Sequence, residues 1–191
     1  MKKFLIATSV IAASATAAQA HVGVGDVHGM VSGFMHPVGG ADHVLAMVAV
    51  GVIAAMIGGR ARWAVPLSFV VMMVLGGIAG MLGLQLPQVE AGIAFSVIVL
   101  GLVIALQWKT PLTLAAPLVG FFAVFHGLAH GAEMPVETSG IAFATGFVVA
   151  TALLHIAGLG LGFLMLRLQQ LAKVGGVAIA AAGVGLFTGW L

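Results

Sequence analysis

An all-α fold is what this sequence predicts: a polytopic membrane protein with six transmembrane helices after a cleaved export signal. Three observations predict it. The chain has 191 residues, 62% hydrophobic and 6% charged, whereas a soluble domain carries about 25% charged residues, and its mean hydropathy is +1.23. Its apolar residues gather into six runs near the ~20 residues needed to cross a bilayer. Every Lys and Arg beyond the first few residues falls in alternate connections between those runs.

The first element is the export signal, residues 1–20. Lys2 and Lys3 precede an apolar run from Phe4 to about Ala13, and the small residues Ala18, Gln19 and Ala20 complete an A-x-A cleavage pattern. That run is too short to span. Cleavage leaves His21 as the mature N-terminus and residues 21–191 as one membrane domain, with the new terminus on the periplasmic side of a bacterial inner membrane.

The six spans are expected at about 38–57, 64–84, 89–106, 111–131, 139–166 and 174–190. Starting outside, the connections at 58–63, 107–110 and 167–173 face the cytoplasm. Arg60, Arg62, Lys109, Arg167 and Lys173 all fall in or beside them, as the positive-inside rule requires. Both mature termini are then periplasmic. Trp63, Trp108 and Trp190 at span ends read as interfacial anchors. The carboxylates Asp26, Asp42, Glu90, Glu133 and Glu137 gather on the outer side, where they favour cations. Helices 1–3 and 4–6 each begin with a histidine-bearing span, the arrangement of an inverted repeat, although the two halves share little sequence.

Glycines four apart, at 76 and 80, 127 and 131, and 158 and 162, form the small-xxx-small pattern that lets membrane helices approach closely. Pro37, Gly39 and Gly40 differ in role: they interrupt the first span between His36 and Asp42, and broken helices at membrane depth are tolerated where they line a cavity.

Composition excludes several functions. There are no cysteines, so disulfides, thiolate zinc sites and iron–sulfur clusters are impossible. No basic patch exists to neutralise the phosphates of a nucleic acid, and no nucleotide-binding motif is present. The expected partners are the lipid bilayer and a divalent metal ion, because ionisable groups at membrane depth are costly and mark function, and imidazole with carboxylate suits first-row metals.

Two clusters carry that chemistry. On a regular helix His126, His130 and Glu133 fall within about a 60° arc of one face, and two imidazoles at i, i+4 can share an ion. Glu133 can bind the ion itself or orient His130. In the other cluster, His36 and His43 lie roughly 10 Å apart on a regular helix, too far to act together unless Pro37–Gly40 breaks it. Asp42 sits beside His43, and Met47, one turn on, reads as packing. His21 and His28, with Asp26, lie on the outer arm, which is either a weaker capture site or a solvated segment that binds nothing specifically. His155 stands apart in the fifth span, either hydrogen-bonded to backbone or on an inward ion path.

The strings HPVGGADHVLAM at 36–47 and FHGLAHGAE at 125–133 resemble the two signature motifs of the HupE/UreJ family of nickel permeases. The resemblance covers export signal, six helices and both motifs in order. It implies Ni(II), and as a second cargo Co(II), imported as transported substrate for maturation of a nickel enzyme such as hydrogenase or urease. It implies no organic cofactor, no enzymatic activity, and metal handling by His36, Asp42, His43, His126, His130 and Glu133. The first motif is also similar to that of larger nickel/cobalt transporters, which have four residues between His and Asp where this chain has five. The rival readings are an intramembrane zinc hydrolase, with Asp42 or Glu133 as general base, and a haem protein with axial histidines.

Overall fold

The computed structural model describes residues 29–133 and 140–191, and every element among them is a helix. In order these are α1 (Gly29–Gly39), α2 (Ala41–Ile57), α3 (Ala61–Met81), α4 (Val89–Ala105), α5 (Leu112–Glu133), α6 (Gly140–Arg167) and α7 (Gln169–Phe187). The export signal and the outer arm with His21 and His28 lie outside the described residues.

By length and apolarity α3, α5, α6 and α7 can each cross a membrane, while α1 and α2 pass that test together, as a pair bent by 81°. The 17-residue α4 is apolar but shorter. The first span was expected to begin near residue 38; instead helix starts at Gly29, and Gly40 separates α1 from α2. The cause is local. Pro37 removes one backbone donor, two glycines follow, and Gly40 takes an extended conformation with φ −101° and ψ 123°.

Helix α2 sits at the centre: Ala46, Met47, Ala49, Val50, Val52, Ile53 and Ala54 are buried on every side of it, as expected of an all-apolar helix surrounded by others. The most extensive pairings are α3 with α5, α4 with α7, and α2 with α6, and α1 packs on α6. Glycine makes these approaches possible. A methyl group at Gly76, Gly80 or Gly127 would strike the backbone across the α3–α5 seam, and one at Gly51 or Gly158 the backbone across the α2–α6 seam. The expected small-xxx-small pairs therefore do pack helices.

The short connections alternate ends of the bundle. Arg60 and Arg62, Lys109, Arg167 and Lys173 all lie at one end, where a cavity opens between Met56, Trp108, Lys109, Thr110 and Met165. Asp42 and Glu90 start α2 and α4 at the other end, where α5 finishes at Glu133. Trp63, Trp108 and Trp190 are all exposed.

Candidate functional site

The break at Gly40 brings His36 and His43 to one place. From the last turn of α1, His36 Nε2 reaches 2.8 Å from His130 Nδ1 on α5. From the first turn of α2, His43 Nε2 meets His130 Nε2. The expected two clusters are therefore one. Sequence reasoning kept them apart because it cannot see that α1, α2 and α5 converge at the carboxylate end of the bundle.

His126 joins from one turn below His130. Its ring lies 5.2 Å from that of His43 at 80°, and it is fully buried. Two of the four imidazoles have their tautomer set by a neighbour. His43 donates its Nδ1–H to Asp42 Oδ1 at 2.6 Å, since an ionised carboxylate only accepts, and this leaves the Nε2 lone pair facing the cluster. His126 donates Nδ1–H to the Phe122 carbonyl at 3.1 Å, which leaves its buried Nε2 without a protein partner. A ring whose far N–H is held by a carboxylate or carbonyl, with the near nitrogen free, is how proteins prepare a histidine for a metal.

Gly40 is required for this arrangement by space. A Cβ there would lie 2.6 Å from Asp42 Oδ1 and 2.8 Å from His43 Nδ1, whereas one at neighbouring Gly39 would meet nothing. Phe143 and Phe147 of α6 wall the other side, their rings 5.7 and 5.9 Å from that of His36, and Phe147 lies 4.8 Å from His130. Sequence reading passed over both, since phenylalanine in an apolar span carries no signal of its own.

The remaining candidates are distributed differently. Glu133 is the last residue of α5. Met47 is fully buried in the core cluster, which agrees with packing. His155 lies deeper, and both its ring nitrogens lack a partner, so the backbone hydrogen bond expected as one explanation is not made. The Phe69 ring stands between the two levels, 5.4 Å from His126 and 5.1 Å from His155. Among the described residues no three His, Asp or Glu groups are already spaced as a metal shell; the imidazoles instead meet nitrogen to nitrogen. Two nitrogens at adjacent corners of an octahedral ion are about 3 Å apart, given bonds of about 2.1 Å, close to the 2.8 Å between His36 Nε2 and His130 Nδ1; to share an ion the two rings must turn their lone pairs from each other toward it.

Fold and site together define a multi-pass membrane protein with a partly buried histidine–carboxylate cluster at one end of its helix bundle. The HupE / UreJ protein family matches residues 8–186. A curated relative, Protein HupE of Rhizobium leguminosarum bv. viciae, is 43% identical over 190 residues, covering 98% of this chain and 100% of that protein. The chain belongs to the HupE/UreJ family. No solved structure matches it.

Proposed function

We propose that this chain is an inner-membrane permease that admits Ni(II), with Co(II) as second candidate cargo, and supplies it for maturation of a nickel enzyme. The observation that carries the reading is the convergence of His36, His43, His126 and His130, with Asp42, at the carboxylate end of an apolar bundle. Family membership supports metal handling, and the two motifs resemble those of nickel permeases.

In this reading the bent pair α1–α2 makes one crossing and α4 another, giving six. At about 1.5 Å per residue α4 is about 25 Å long, close to the thickness of the hydrocarbon core. The cation-rich end faces the cytoplasm by the positive-inside rule, and both mature termini are periplasmic. A hydrated ion is drawn to the acidic end, captured by His21 and His28 on the outer arm, and loses water to the imidazoles of the cluster. Glu133 completes or orients the donor set. The rings must part to admit the ion and close behind it, so binding is moderate enough for the ion to leave.

The test is radiolabelled nickel uptake in cells expressing the chain, with His43→Ala and His126→Ala beside the parent and with cobalt, zinc and copper as competitors. Loss of uptake in both variants is expected. Intact uptake in both would remove the cluster as the ion's path.

A further inference from the structure

The two halves of the bundle pack by the same contacts in opposite direction. Val48 of α2 lies against Gly158 of α6, and Gly51 against the His155 backbone. In the other half Val124 of α5 lies against Gly76 of α3, and Gly127 against the Met73 backbone. Exchanging α2 for α5 and α3 for α6 thus carries Val48 onto Val124, Gly51 onto Gly127, Gly158 onto Gly76 and His155 onto Met73. The third pair, α4 with α7, exchanges with itself: Gly101 approaches Gly176 and Ala180, and Gly176 approaches Gly101 and Ala105. Because α2 and α5 start at opposite ends of the bundle, the repeat is inverted.

Met73 and His155 are therefore equivalent positions on either side of the repeat's axis, which is where inverted-repeat transporters hold their cargo. His155 lies about 22 Å along α6 from its start and about 18 Å from its end, at about 1.5 Å per residue. It is 3% exposed with both ring nitrogens unpartnered, and such a buried polar group calls for an explanation. One turn away on the same face, Thr151 donates its hydroxyl toward Met73 Sδ at 3.9 Å. Phe69, one turn from Met73, has its ring 5.1 Å from that of His155. All four side chains are buried.

We infer that His155, Met73 and Thr151 form a second ion station at the axis of the inverted repeat, separated from the outer histidine cluster by the Phe69 ring. The inference rests on the permease reading and says where the ion goes after that cluster. The ligand is a largely dehydrated, borderline-soft divalent transition-metal ion. Imidazole and thioether select such ions over Mg²⁺ or Ca²⁺, which prefer oxygen. The station has no carboxylate, so it holds the ion more weakly than the outer cluster and favours onward movement toward the Lys/Arg end.

The experiment is equilibrium dialysis of the full-length purified chain against radiolabelled Ni²⁺, paired with cellular uptake. The parent should hold two ions per chain. His155→Ala and Met73→Leu should each hold one and lose about tenfold in uptake, while His43→Ala loses the other ion and keeps the inner one. Met73→Leu conserves volume, so the test stands even if His155→Ala fails to fold. A parent that holds a single ion, lost in His43→Ala and unaffected by both inner variants, overturns the station and leaves the permease reading intact. Uptake lost in Met73→Leu with the ion count unchanged also overturns it, because the side chain would then serve packing alone. A parent that neither binds nor takes up nickel refutes the permease reading itself.

Discussion

Gly40 and Asp42 set the outer cluster although neither contributes a ring to it. The Cβ of Gly40→Ala would strike Asp42 Oδ1 and His43 Nδ1, so this variant should lose uptake about tenfold or more at normal expression. Gly39→Ala, whose Cβ faces open space, should keep it; equal uptake in the two would show that the Asp42–His43 pair tolerates displacement. Removing the carboxylate in Asp42→Ala frees His43 Nδ1–H from its acceptor and lets the ring turn and change tautomer. Loss of such an orienting partner costs about 10- to 100-fold in metal affinity or activity, measurable as nickel uptake at limiting concentration. The cluster must offer neutral imidazoles, and protons compete for the same lone pairs.

At the scale of elements, the sequence is read most easily where the signal is periodic or locally chemical. The small-xxx-small glycines of α3, α5 and α6 announce close packing, and Pro37 with Gly39 and Gly40 announces a break. Which helices the glycines join is not written in any one segment, because a glycine stripe fits any partner that presents a flat face. In the fold Gly127 meets the backbone at Met73 and Gly77. Gly127→Val should push α3 from α5 and destabilise the chain by about 1–3 kcal/mol or more, the usual cost of overpacking, visible as a lowered unfolding temperature in detergent. Gly160→Ala, at a position with open space around it, should leave that temperature nearly unchanged.

For the whole molecule, charge placement and packing agree on an axis with an acidic end and a basic end. The natural chain has no cysteine, so single cysteines can report orientation without further engineering. Leu84→Cys, in the connection between α3 and α4, should react with an impermeant maleimide added to intact cells. Lys109→Cys should react after the membrane is opened. The reverse pattern would invert the topology and with it the direction of import.

Composition, periodicity and charge determined by themselves that this is a multi-helix membrane chain, which end of each helix carries cations, and which histidines and carboxylates are the candidates for chemistry. Those properties are local, set by residue type and spacing along one helix. Only the tertiary structure decided that His36 and His43 meet His126 and His130 in a single cluster, that Phe69 stands between them and His155, and that Met73 and His155 are partners across an inverted repeat. Contacts between helices depend on which faces the whole bundle buries together, and no single segment of sequence contains that choice.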